Sequence, residues 1–183
     1  ILDAKAAGGL AHARLALVLA SKPGVYALER AAKAGVPTAV VSRRDYAEPA
    51  AYDAALLAAL HAHEIDVVVL AGFLSILGKS VIEAYPDRIL NVHPSLIPSF
   101  CGAGFYGLKV HEAALAQGVT VAGATVHLVN AIPDGGRILL QKAVEVLPDD
   151  TPETLQKRVM TEAEWLLLPR ALDELTAALD GNV

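Results

Sequence analysis

The chain has 183 residues, 54% of them hydrophobic and 19% charged, with a formal net charge of −5, no basic block and one cysteine, Cys101. This composition excludes a disordered chain, an extended nucleic-acid footprint and an intrachain disulfide. No apolar run reaches about 18 residues, so no segment reads as a membrane span. No signal peptide is recognised, and the expectation is one domain over 1–183, in the cytoplasm.

Residues 1–9 (ILDAKAAGG) read as the last turns of a helix closing on glycine. An α/β domain normally reaches its first helix from a strand, so a strand upstream of Ile1 is expected. The run at 14–20 (RLALVLA) predicts a buried strand. A helix over 26–34 stops at Gly35, with Pro37 beyond, and 38–41 is strand-like. An amphipathic helix is predicted over 49–63, where Tyr52, Leu56, Leu57 and Leu60 recur at helical spacing. The segment 66–70 (DVVVL) is apolar on both faces, as interior parallel strands are. A short helix over 80–85 ends at Pro86, and 89–92 is another buried strand. The stretch 94–107 is long, irregular and glycine-bearing, a length that marks functional or mobile loops. Helix returns over 108–117 and ends at Gly118. Two β-rich runs, 123–130 and 138–146, flank Asp134 as a hairpin-like pair. Thr151-Pro152-Glu153 opens a helix with a hydroxyl cap, proline at the first position and an acid in the first turn. That helix runs towards Leu179, and Pro169 is expected to kink or split it. Strand and helix alternate, which predicts an α/β fold with a mostly parallel, twisted sheet and helices on both faces.

Two segments carry the chemistry. Asn91 and His93, two residues apart in a strand, point to the same side. Pro94 and Pro98 then force the chain out of the sheet. Polar groups at the end of a buried strand, followed by a stiff loop, are a common seat of α/β active sites. An amide donor and a protonatable imidazole beside one pocket can bind a developing oxyanion. Asp134, in Pro133-Asp134-Gly135-Gly136, can supply a carboxylate that favours the charged imidazole. No serine or cysteine stands in a nucleophile motif, so the set suits transfer of an acyl-type group to an external nucleophile. Each residue has a plainer reading. Asn91 and His93 can be satisfied by loop backbone, and Asp134 can be an ordinary turn residue. His111 and His127 read as structural or as supports of the catalytic groups rather than catalytic themselves, Trp165 as packing and Cys101 as a bystander. His61 and His63 read as solvated and not as metal ligands.

The runs VVVLAGFL (67–74), NVHPSLIP (91–98), GATVHLV (123–129) and DGG (134–136) strongly resemble the phosphoribosylglycinamide formyltransferase family of folate-dependent enzymes. The resemblance extends over about residues 1–172, and the segment 101–111 favours the purine branch. It implies a Rossmann-like formyltransferase fold and formyl transfer from 10-formyltetrahydrofolate to the amine of glycinamide ribonucleotide, with no metal. Asn91, His93 and Asp134 match the catalytic residues. Leu74, Ser75, Ile76 and Leu77 on one side, and Asn130, Ala131, Ile132, Pro133 and Asp134 on the other, match the pteridine pocket, beside Asn91. Glu164 matches an acid that contacts the ribonucleotide, although 161–168 is one residue longer than the usual spacing. The resemblance is compatible with a homodimer and implies neither nucleic-acid nor membrane partners. In relatives a strand and a glycine- and serine-containing loop, which cradles the substrate phosphate, precede the helix matched by residues 1–9. Here they are expected upstream of Ile1. Pro49 stands where many relatives carry an arginine, which removes one folate contact, and Arg137 stands where proline is common. Three alternatives share the motif: formyltetrahydrofolate deformylase, which uses water as nucleophile; methionyl-tRNA formyltransferase, which calls for a basic surface; and a folate-binding relative inactive for lack of the phosphate loop.

Overall fold

Short apolar runs alternate with helical segments, and the computed structural model, which describes residues 1–181, forms six strands and seven helices from them. In chain order these are α1 (Leu2–Ala6), β1 (Val18–Ala20), α2 (Tyr26–Lys33), β2 (Thr38–Val40), α3 (Pro49–Ala62), β3 (Val68–Leu70), α4 (Lys79–Ala84), β4 (Ile89–His93), α5 (Leu108–Gln117), β5 (Val121–Leu128), β6 (Ile138–Glu145), α6 (Pro152–Val159) and α7 (Trp165–Asp180). A π turn, Met160–Glu164, joins α6 to α7. Pro169 lies inside α7 and does not break it. The irregularity falls upstream, at the π turn, which is how a helix absorbs one additional residue.

Local chemistry sets the helix ends. Pro49 occupies the first turn of α3, where its missing N–H costs nothing. Gly118 closes α5 in the left-handed conformation, at φ 71°. At the start of α6, Thr151 Oγ1 accepts from the Thr154 N–H at 3.3 Å, and the Thr151 N–H donates to Thr154 Oγ1 at 2.8 Å. α4 is capped by its neighbour: Asp53, on α3, accepts from the Gly78 N–H and from the Ser80 hydroxyl, both at 3.2 Å.

β1 and β2 pair in parallel, as do β3 and β4; β5 is antiparallel to β4, and β6 to β5. The parallel pairs are those expected from strand–helix alternation, and β5–β6 is the pair expected around Asp134. Alternation along β4 sends adjacent residues into different cores. Ile89 packs with Tyr52, Leu56 and Leu60 of α3 and Val81 of α4. Leu90 packs with Val126 of β5 and with Leu155, Val159 and Leu168 of α6 and α7. Each such side chain, fully buried, contributes about 1.5–3 kcal/mol of hydrophobic stabilisation. Among the described residues β1 pairs only with β2, and β3 only with β4. Residues of β1 and β3 line one open cleft of about 1930 Å³. No helix among the described residues is long and apolar enough to cross a membrane.

The turn between β6 and α6 is held by a two-pronged ion pair. Arg158 Nη2 donates to Asp150 Oδ1 at 2.7 Å, and Nη1 reaches Asp150 Oδ2 and, at 3.1 Å, the Glu145 carbonyl. The Asp150 side chain is 2% exposed. The Arg158 guanidinium, helped by the Leu147 N–H and the Thr154 hydroxyl, outweighs burial and holds the Asp150 carboxyl well below its ordinary 3.8. Asp150→Asn should lower the unfolding free energy at neutral pH by roughly 1–3 kcal/mol, read from urea denaturation. Because the folded value is depressed, this stabilisation is present above the ordinary value and lost as pH falls through the folded one. The gap between wild type and variant should therefore close in acid.

Candidate functional site

The cleft passes the end of β4, and three polar side chains meet there. Register pairs Asn91 of β4 with Leu70 on one side and His127 on the other, and His93 with Thr125. Asn91 and His93 share a face, as their spacing predicts, and both line the cleft. His93 is only 5% exposed. Its Nε2 lies 2.9 Å from the Phe100 carbonyl oxygen, so that nitrogen carries a proton. Its Nδ1 lies 3.5 Å from Asp134 Oδ2. Both ring nitrogens thus face acceptors, and the doubly protonated ring satisfies both.

Asp134 stands at the turn with φ 54°. It places one oxygen towards each of two imidazoles, His93 Nδ1 and His127 Nε2, at 3.5 Å each. The Gly102 N–H donates to its Oδ2 at 2.8 Å. Burial pushes this carboxyl up, but His127, the Gly102 N–H and the His93 charge together outweigh it and hold Asp134 below its ordinary value. Asp134 is therefore a carboxylate at neutral pH.

The first part of the loop after β4 is tied to the sheet by hydrogen bonds. Thr125 Oγ1 donates to the Ser95 carbonyl at 2.6 Å and accepts from the Ile97 N–H at 3.1 Å. Gln141 Nε2, on β6, donates to the Ile97 carbonyl at 3.0 Å and to Thr125 Oγ1 at 2.9 Å. Ser95 Oγ donates to the Ser99 carbonyl at 2.5 Å. These bonds present the Phe100 carbonyl to His93 and the Gly102 N–H to Asp134. Burial, then the Asp134 charge, push the Cys101 thiol up, so it stays protonated at neutral pH and fits its expected bystander role. Burial and the His93 charge push His111 down to about 4. This neutral ring lines a separate cavity of about 90 Å³ under the loop.

The pocket residues named from the sequence also line the cleft. Leu74 and Ile76 are 73% and 83% exposed, and Ile132 is a third exposed aliphatic in that lining. Ser75 and Pro133 stand beside them, while the Leu77 side chain turns into the core with Tyr52 and Val81. Asn130 closes its own turn: Oδ1 accepts from the Ile132 N–H at 2.9 Å, and Nδ2 donates to the Gly135 carbonyl at 3.1 Å. Ala131 is exposed between them. Large exposed aliphatics in a cleft lining suit an apolar ligand surface better than open solvent.

Glu164 ends the π turn and faces the same cleft. Burial pushes its carboxyl up from 4.5 to about 7. A carboxyl raised on folding binds more protons in the native chain between those two values, so stability falls as pH rises from 4.5 towards 7. Glu164→Gln should remove that decline and be more stable than wild type at pH 8 by about 1–3 kcal/mol. Melting temperatures of both proteins across that range test this, and parallel curves would show that the carboxyl is not desolvated. Trp165 is not a packing residue: it is 60% exposed at the cleft wall beside Glu164.

Sequence reading treats His127 as structural or as a support of the catalytic groups, and its imidazole stands in the cluster, 3.2 Å from Asn91 Nδ2 through Nε2. Alternation in 123–128 puts Thr125 and His127 on one face of β5, and pairing of β5 with β4 would have brought them opposite His93 and Asn91. The Phe100 carbonyl and the Gly102 N–H left no signal, because backbone contacts of a loop have no side-chain signature.

Comparison with known proteins follows the same outline. The formyl transferase family model matches residues 1–172. The chain is 40% identical over 161 residues to the trifunctional purine biosynthetic protein adenosine-3 of Drosophila melanogaster, a match covering 88% of this chain and 12% of that protein's length. It is 36% identical over 154 residues to the phosphoribosylglycinamide formyltransferase of Bacillus subtilis, covering 84% of this chain and 76% of that one. The crystal structure of glycinamide ribonucleotide transformylase 1 from Symbiobacterium toebii superposes with a TM-score of 0.90 at 40% identity, over 97% of this chain and 81% of that chain.

Proposed function

The chain belongs to the formyl transferase family, and on that premise we propose that it transfers a formyl group from 10-formyltetrahydrofolate to the amine of glycinamide ribonucleotide, a step of purine biosynthesis. One observation carries the reading: a carboxylate standing between two imidazoles, beside a carboxamide, at the wall of one cleft. Leu74, Ile76 and Ile132, with the backbone of 74–77 and 130–134, would hold the pteridine. The bound cosubstrate supplies a formyl carbon whose bond to an aryl nitrogen breaks as the amine's bond to it forms.

The chain's own groups manage charge and protons. Negative charge develops on the formyl oxygen as the amine adds. An N–H of Asn91 is a donor that can meet it, and the charged His93 ring on the same face supplies positive charge beside it. Asp134 stabilises the charged ring, and its carboxylate is the nearest base for the proton the amine sheds. The leaving nitrogen takes a proton in return, so charge is conserved over the step. Glu164, across the cleft, would accept hydrogen bonds from the hydroxyls of the ribonucleotide.

The test is a formyl-transfer assay with both substrates, following formylated product and formate separately. Product formation that needs the ribonucleotide amine is the expected result. Formate release that ignores the amine would assign the protein as a deformylase. Folate binding without either product would make it an inactive binder.

A further inference from the structure

We infer that Thr125 of β5 and Gln141 of β6 are positioning residues, which through one clamp on Ile97 set the backbone groups that orient His93 and Asp134. The inference rests on the formyl-transfer reading of the site and deepens it. Register places His93, Thr125 and Gln141 side by side across β4, β5 and β6, and facing residues of antiparallel strands share one side of the sheet. A hydroxyl has one donor and two acceptor sites, and Thr125 uses all three. It donates to the Ser95 carbonyl at 2.6 Å, and it accepts from the Ile97 N–H at 3.1 Å and from Gln141 Nε2 at 2.9 Å. The same Nε2 donates to the Ile97 carbonyl at 3.0 Å. Two side chains of the sheet thereby hold both backbone groups of Ile97. Leu96, beside it, occupies space that Gly123 leaves open, where a Cβ would lie 2.8 Å from Leu96 Cδ2.

From Ile97 the chain carries this placement to the chemistry. The Ser99 N–H donates to the Leu96 carbonyl at 3.0 Å, and Ser95 Oγ donates to the Ser99 carbonyl at 2.5 Å. Phe100 follows at φ 49°, a left-handed conformation that a bulky residue keeps only where its surroundings fix it. Its carbonyl oxygen lies 2.9 Å from His93 Nε2, a contact that sets the plane of the ring. The Cys101 thiol donates back to the Pro98 carbonyl at 3.3 Å, and the Gly102 N–H then meets Asp134 Oδ2 at 2.8 Å. Packing alone does not fix the segment, because Ser95, Leu96, Ser99 and Phe100 border the cavity of about 90 Å³ beneath it. Hydrogen bonds must therefore hold what a filled core would otherwise hold. Residues 95–101, Thr125 and Gln141 form no part of the cleft lining. Their influence on a reaction in the cleft runs through His93 and Asp134 and not through contact with substrates.

Two experiments decide. Thr125→Val keeps the shape of the side chain and removes the hydroxyl. In the full 15N-labelled chain at neutral pH, the Gly102 amide should exchange its hydrogen at least about tenfold faster in this variant than in wild type. An effect that stops at Ile97, with Gly102 unchanged, overturns the inference. This measurement needs no activity: if wild type transfers no formyl group, the proposed function fails while exchange still judges the clamp. In the formyl-transfer assay, Thr125→Val should lose about 10–100-fold in kcat, with both KM values within about threefold of wild type, since a misplacement near 1 Å is enough for such a loss. Thr125→Ser, which keeps the hydroxyl, should recover most of it. Gln141→Glu, equal in size but without the NH2 that holds Ile97 and Thr125, should lose about tenfold in kcat. Equal losses in the Val and Ser variants, an unchanged kcat, or a loss confined to KM would reduce Thr125 and Gln141 to structural residues. Should Thr125→Val fail to fold, Gln141→Glu, made on an exposed side chain, carries both readouts.

Discussion

Replacing His93 with alanine is expected to lower kcat for formyl transfer by about a thousandfold or more while the chain stays folded. Two effects add. The ring is a positive charge beside the developing negative charge, a term commonly near 10²–10³ in rate. It is also an acid within the site, roughly another 10²-fold or more. The remaining rate comes from the N–H of Asn91 and from holding the two substrates together. Stability should suffer little. His93 ends β4 and is buried, and its Nε2 satisfies the Phe100 carbonyl. Its loss should cost about 1–2 kcal/mol, from one hydrogen bond and a small void open to the cleft. Unchanged far-ultraviolet circular dichroism, with a modestly lower urea midpoint, would separate the chemical effect from unfolding. A variant that kept more than about a tenth of the wild-type rate would take His93 out of the chemistry.

Much of the fold was readable because local physics fixes it. Gly118 and the Thr151-Pro152 start mark helix ends by backbone conformation and capping, and both fall where expected. Strand lengths were less legible. The apolar run at 14–20 yields only Val18–Ala20 as strand, because a strand is defined by its partner and β1 pairs with three residues of β2. The pairing of Asn91 with His93 on one face followed from alternation alone. The contact of Asp134 with His93 could not. Register leads β5 away from His93, with Leu128 opposite Leu90, and the turn must then fold back over β4 to reach the ring. No local pattern encodes that return, so only the family resemblance pointed to it. Pro169 does not split α7, because a proline can lie inside a helix where neighbouring packing tolerates the lost bond, and Pro169 is buried. The irregularity of this helical stretch falls instead at the π turn, Met160–Glu164, whose last residue lies in the cleft lining.

Asp134→Asn should cut kcat by about 10²–10⁴-fold and move the alkaline limb of the rate profile towards acid. The substitution keeps the shape of the site. An asparagine Oδ1 can still accept from the Gly102 N–H, which lies 2.8 Å from the carboxylate. What disappears is the negative charge that two imidazoles share. Without it the charged form of the His93 ring loses its partner, so the active protonation state should persist over a narrower range of pH. The proton shed by the amine also loses its nearest base. Stability provides an independent readout of the same charge. Burial pushes the Asp134 carboxyl up, but His127, the Gly102 N–H and His93 hold it below the ordinary value of 3.8. A depressed folded value means that the carboxylate stabilises the native chain above the ordinary value, and that this contribution fades as pH falls through the folded one. The asparagine variant should therefore melt below wild type at pH 7, and the two should converge in acid. Rate–pH curves that superpose after scaling, together with melting temperatures that stay equally far apart down to the acid transition, would mean that the carboxylate does not govern the ring, and the proposed division of roles in this cleft would have to be abandoned.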